Sequence, residues 1–263
     1  MAVDKYGFIT QPDFRGFQPA FSQLVTDVVQ TLTTTFPALI HSVYVYGSLI
    51  DATAIERLSD LDLTVIYYRE PDADATVKID VVKTALEQSY PVVSKIDIDP
   101  GMLEEVMLPA NGKRWGYWLK HHCVCVYGED LRDRFEPFKP SRDIAVAVNG
   151  DFLEVLNGYI ALMKPTLKPF DSHVLQRSAA RKAIRSTNIL REDNDQDWPV
   201  TLKELAEKFN DRYPAMAEEM DYLLSISHRP RGDIMVFASR ITAIGLCELR
   251  RRMIMLRLLE IVR

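Results

Sequence analysis

Residues 45–63 read VYGSLIDATAIERLSDLDL, and how this stretch is parsed decides the fold. The run that enters it, HSVYVYG (41–47), is β-rich and stops at Gly47, so a strand gives way to a Gly-Ser bend. Leu61, Leu63 and Val65 then alternate with Asp60, Asp62 and Thr64, the period of two expected of a returning strand. That period places the carboxylates of Asp60 and Asp62 on one face, while Leu61 and Leu63 lock the strand into a core. Two carboxylates this close raise each other's pKa unless a cation lies between them. Mg²⁺ is the natural cation, a hard ion that takes one or two carboxylates and completes its octahedron with water and phosphate oxygens. Gly47 lets the backbone approach a ligand closely. Ser48 offers a hydroxyl and a backbone N–H at the start of a short helix expected over 48–57, where unpaired donors favour phosphate.

Outward from this centre, FSQLVTDVVQTLTTTF (21–36) carries Phe21, Leu24, Val25, Val28, Val29 and Leu32 at helical spacing and ends near Pro37. Val77, Val81 and Ala85 mark a second helix in VKIDVVKTALEQS, and VVSKIDID (92–99) is a strand cut off at Pro100-Gly101. Residues 103–116 fit no single period, and HHCVCVYGED (121–130) reads as a short strand leading into a turn. The texture changes after FEPFKPSRD (135–143). From about Ile144 helix follows helix, with breaks at KPTLKPFDS, EDNDQDWP, DRYP and SHRPRGD. The expectation is an α+β chain: a mixed-sheet domain over 1–140 and an all-helical bundle over 141–263.

The order Tyr46-Gly47-Ser48, eleven intervening residues, then Asp60-Leu61-Asp62-Leu63 resembles the signature of the DNA polymerase beta-like nucleotidyltransferase superfamily. That family usually has a third carboxylate on a later strand. Asp97 in Ile96-Asp97-Ile98 fits it, with Asp99 as the alternative on the same face. The helical second half looks like that of the aminoglycoside adenylyltransferases, whose bundle closes the substrate cleft. The resemblance implies that Asp60 and Asp62 hold two Mg²⁺ ions and that Asp97 is third ligand or general base. It also implies that Gly47 and Ser48 help to hold the phosphates of ATP or another NTP. A nucleoside monophosphate, AMP first, would pass to a hydroxyl of a small molecule such as an aminoglycoside-like antibiotic, and pyrophosphate would leave. Two alternatives stay open: adenylylation of a protein side chain, as in toxin–antitoxin systems, and a catalytically idle nucleotide-binding module.

Other signals divide between functional and structural readings. Arg177, Arg181 and Arg185 recur four apart with Lys182 beside them. They are either nucleotide contacts at the triphosphate or a solvated basic face paired with acids such as Glu192 and Asp193. His121, His122, Cys123 and Cys125 lack the usual zinc spacing and read better as strand residues with a polar lead-in. Trp115, Tyr117 and Trp118 read as packing at a domain junction. Leu246, Leu249, Met253, Leu256 and Leu259 form the seam of a terminal core helix whose apolar breadth allows a monomer or a homodimer. A net charge of −5 argues against nucleic acid, which is bound largely through phosphate neutralisation. No apolar run is long enough to span a bilayer, and no basic-then-apolar leader opens the sequence. Three cysteines, an odd number, fit free thiols in a cytoplasmic protein.

Overall fold

The computed structural model describes residues 2–243, and these divide into two compact units, residues 9–138 and residues 2–8 with 139–243. The first unit is built on four strands, β1 (Ile40–Tyr46), β2 (Leu61–Tyr67), β3 (Ile96–Met102) and β4 (Cys123–Gly128), in the order β3-β2-β1-β4. β1 runs antiparallel to both β2 and β4, and β2 runs parallel to β3, so the sheet is mixed.

Helices α1 (Pro19–Thr35) and α2 (Ala73–Ser89) pack on one face. Phe21, Leu24, Val25, Val28 and Leu32 of α1 meet Val43, Val45, Leu61, Leu63, Val65 and Ile96 of the strands in one apolar core. Pro19 sits in the first turn of α1, where its missing N–H costs nothing. Asp72 caps α2 by accepting from the Ala75 N–H at 2.8 Å. The inward face of α2 differs from the expected one: Val77 and Val81 are exposed, and Ala75, Ile79, Val82 and Leu86 pack against the core. Both sets have helical spacing, so periodicity alone does not choose between them.

On the opposite face Tyr44 and Ile66 meet Val106 of α3 (Leu103–Met107), Leu119 of α4 (Tyr117–His122), Trp115, Cys123 and Leu131. The expected junction role of the tryptophans is therefore replaced by a covering role within this unit. The indole N–H of Trp118 donates to Thr64 Oγ1 at 3.0 Å, and that of Trp115 to Glu105 Oε1 at 3.0 Å. Tyr117 is buried against His121 and Phe138.

Two further expectations are corrected. The segment after Gly47 forms only a single 3-10 turn, Gly47–Leu49, in place of a helix over 48–57. Ala52 takes φ 53° and Arg57 φ 64°, left-handed values that no right-handed helix accommodates. β3 also continues through Pro100 and Gly101 to Met102, because it lies at the sheet edge, where a residue without an N–H is tolerated.

The second unit is helical: α5 (Arg142–Asn149), α6 (Phe152–Leu162), α7 (Pro169–Ser186), α8 (Leu202–Arg212), α9 (Ala217–His228) and α10 (Ile234–Ile241). α7 is central and packs against α6, α8, α9 and α10. Ala179, Ala180 and Ala183 on its buried face let the neighbouring helices approach closely. Thr201 and Glu204 form a reciprocal capping box that starts α8. The chain is thus an α+β protein with a helical C-terminal part. No helix among the described residues is long and apolar enough to cross a membrane. The expected terminal helix with its Leu246–Leu259 seam, and Cys247, lie outside the described residues.

Candidate active site

Three elements bring the acidic residues together. β2 supplies Asp62, the bend just before β2 supplies Asp60, and β3 supplies Asp97. The registers place Tyr46 opposite Asp62 and Asp62 opposite Asp97, so the three residues form one row across β1, β2 and β3. Asp60, Asp62 and Asp97 each offer a carboxylate oxygen within 4.8 Å of the others. Among the described residues no other group of three or more His, Cys, Asp or Glu side chains reaches such proximity, and the histidine–cysteine run does not form one. Cys123 is instead a buried thiol whose pKa burial pushes up, and the His121 ring lies 2.9 Å from the Thr10 carbonyl oxygen.

The electrostatics of the row are frustrated. The Asp62 carboxyl is pushed up to about 6, chiefly by burial and then by the charges of Asp60 and Asp97, with Lys95 working in the opposite direction. Lys95 is the local cation: its ammonium donates to Asp97 and lies 3.6 Å from Asp60 Oδ2. Partial burial works against that ammonium, yet the bond to Asp97 and the surrounding carboxylates raise its pKa overall. The Ser94 hydroxyl donates to Asp60 as well.

Gly47 is required here for two separate reasons. Its φ of +76° is a left-handed value, and a Cβ at this position would lie 2.7 Å from Asp62 Oδ2. Any side chain would therefore strain the bend and push on the half-buried Asp62 carboxylate. Ser48 follows in a partly exposed position, with its carbonyl accepting from the Thr53 N–H at 3.0 Å. The helix start expected at Ser48 is replaced by a three-residue 3-10 turn, which has no macrodipole to offer.

Asp97 and Asp99 are distinguished by their neighbours. Asp97 sits in the row with Asp62, whereas Asp99 pairs with Thr64 and accepts from the Tyr46 hydroxyl at 2.6 Å. Burial, followed by this bond and the nearby acids, drives the Tyr46 phenol well above its usual range. Its ring also packs edge-on against Trp118, with centroids 4.8 Å apart. Lys95 and Ser94 are neighbours of the triad that the sequence reading passed over, and Tyr46 was quoted there only as part of the motif. Lys95 had a signal, for it precedes Asp97 by two residues, the strand period.

The basic residues of α7 belong to the other unit. Lys182 bonds Asp151 Oδ1 at 2.6 Å, Arg181 is partly buried, and Arg177 and Arg185 are exposed. The acids expected to face them have other partners: Asp193 pairs with Arg142 at 3.4 Å and Glu192 with Arg212 at 3.9 Å.

The chemistry of the donor set fits a hard divalent cation. Three carboxylates offer only oxygen, which suits Mg²⁺ or Mn²⁺ and lacks the nitrogen or sulfur that zinc prefers. No family model matches the chain, and neither does any curated protein. Among solved structures it is similar to spectinomycin adenyltransferase AAD(9) from Enterococcus faecialis, determined with ATP and spectinomycin. The TM-score is 0.47 at 15% identity, covering 84% of this chain and 98% of that one.

Proposed function

We propose that the chain is a Mg²⁺-dependent nucleotidyltransferase that moves a nucleoside monophosphate, AMP from ATP in the first instance, onto a hydroxyl of a small molecule. The observation that carries this reading is the convergence of Asp60, Asp62 and Asp97 beside Gly47, where an added Cβ would collide with Asp62. Such a cluster is costly to keep unless it holds cations, and an oxygen-only set next to a tight bend suits a metal-bound polyphosphate. When bound, Mg²⁺ supplies Lewis-acid stabilisation of the charge that develops on the transferring phosphoryl group.

The remaining roles fall to the chain's own residues. Asp60 and Asp62 hold the cation side, and Asp97 completes the set or takes the proton of the acceptor hydroxyl. The acceptor oxygen then bonds to the α-phosphorus as the bond to the pyrophosphate oxygen breaks. The backbone around Gly47 and Ser48 holds the departing phosphates through N–H donors. An aminoglycoside-like acceptor is the first class to try, since a chain of net charge −5 with an acid-rich face suits a polycation.

A pyrophosphate-release screen tests the reading: each NTP with Mg²⁺, against aminoglycosides, lincosamides and candidate proteins. The expected result is release with one acceptor class and labelled product, abolished by Asp62→Asn. Failure of every NTP and acceptor to give Asp62-dependent release overturns it.

A further inference from the structure

The carboxylate triad already contains a cation of its own. Lys95 bridges the two outer members: its Nζ donates to Asp97 and lies 3.6 Å from Asp60. Its side chain is 51% exposed, so the ammonium has open solvent to move into. One positive charge against three carboxylates leaves the cluster at −2 when all are ionised, still attractive to a dication. A dication entering the same oxygens meets the ammonium at contact range, however, and the two cations repel. A nucleotide changes that balance. Its phosphates add negative charge next to both cations and offer the displaced ammonium a new partner. Lysine suits such an exchange better than arginine, being a compact point charge on a flexible stem with no bidentate grip on a carboxylate.

We propose that Lys95 is a resident counter-ion that holds divalent cations off the triad until they arrive with nucleotide phosphates. This deepens the nucleotidyltransferase reading and rests on it. The consequence is ordered loading, in which metal and nucleotide enter together and the nucleotide-free site stays in its lysine-bridged form. Lys95 is in this sense a positioning residue whose charge sets metal affinity, distinct from a ligand.

Mn²⁺ is the probe, with free ion counted by electron paramagnetic resonance during titration of the full chain. Wild type, Lys95→Met, Lys95→Gln and Lys95→Arg are compared with and without a non-hydrolysable ATP analogue. Without the analogue, the Met and Gln variants are expected to bind Mn²⁺ about tenfold more tightly than wild type, the effect of removing one like charge at this range. Arg is expected to remain near wild type. With the analogue present the difference shrinks or reverses, because the variants have lost the ammonium that meets the phosphates. Adding Asp60→Asn to Lys95→Met should remove the gain, which places the ion at the triad. Circular dichroism verifies folding, and a half-exposed side chain makes two independent neutral replacements practicable. Equal or weaker Mn²⁺ binding by both neutral variants overturns the counter-ion role while leaving the nucleotidyltransferase reading intact. Absence of Mn²⁺ binding in every variant, even with the analogue, overturns both.

Discussion

Each of the two units contains a cluster of mixed charge drawn partly out of water, and the clusters behave in opposite ways. In the helical unit Arg191 is 1% exposed, donates to the carbonyls of Asp195 and Asp197 at 2.8 Å, and lies over the Trp198 ring at 4.7 Å. Asp195 also accepts from Arg212 at 3.0 Å and lies 3.3 Å from Lys208, which bonds Asp197. Burial, the largest influence on Asp195, pushes its carboxyl up. The Glu192 N–H, Arg212 and Lys208 together outweigh burial and hold it below the usual range. In the sheet unit three acids share one ammonium, and burial pushes Asp62 up to about 6. The first cluster sets Arg191, Arg212 and Lys208 against Asp195, Asp197 and Glu192, three cations for three acids, so its charges balance. The second has a surplus of negative charge that the protein does not neutralise. Frustrated charge in a partly open site, more than charge itself, is what separates a binding centre from a structural network.

The strongest way to break this comparison is Asp62→Asn. It should lower nucleotidyl transfer by about a hundred- to a thousandfold, by analogy with loss of one preorganised electrostatic group, as read by pyrophosphate release. The same variant should be more stable than wild type without metal. The folded-state value of about 6 lies above the ordinary 3.8, so the folded chain prefers the neutral carboxyl. Its contribution is therefore fully present below pH 3.8 and lost as pH rises through about 6. The expected gain is about 1–2 kcal/mol at pH 8, discounted for partial exposure, and close to zero near pH 4. Urea unfolding at the two pH values reads both numbers; equal stability at pH 8 sinks the claim of frustration.

Arg191→Met should do the reverse, losing about 3 kcal/mol because the part-buried carbonyls of Asp195 and Asp197 lose a charged donor. Mn²⁺ binding at the triad should not change. Gly47→Ala should cost about 1–2 kcal/mol from its left-handed backbone, and it should weaken Mn²⁺ binding too, since the added methyl presses on Asp62 Oδ2. A loss of stability with unaltered metal affinity would separate the bend from the site. Smallest is Glu204→Ala, which removes half of the capping box on α8, at about 1 kcal/mol near neutral pH. The Glu204 carboxylate is held down to about 2 chiefly by the Thr201 N–H, with the Val200 N–H adding to it. That stabilisation is present above the ordinary 4.5 and fades as pH falls toward 2, so the two proteins should converge in acid.

Much of the site was legible because it rests on short-range periodicity. Alternation at 60–65 puts Asp60 and Asp62 on one face, and the Ile96-Asp97-Ile98 order marks the third acid that the pairing of β2 with β3 brings beside them. The helix breaks in the second half were equally local, written in Pro, Gly and Asp. What escaped was decided by contacts across long separations. α2 has two apolar stripes, and only the position of the sheet chose Ile79 and Val82 over Val77 and Val81. Arg191 looks like any surface arginine in sequence, yet its burial depends on a loop that folds back around it. The choice between Asp97 and Asp99 turned on the Tyr46 hydroxyl, which comes from a strand fifty-three residues earlier than Asp99.

One feature of β3 reaches beyond chemistry. Among the described residues its outer rim has no neighbouring strand, yet Pro100 stands near its middle and Gly101 follows. A proline interrupts the ladder of donors that an invading strand from another molecule would need, so the rim resists templated aggregation. The flank that carries Asp97 can therefore stay unpaired without the protein sticking to copies of itself.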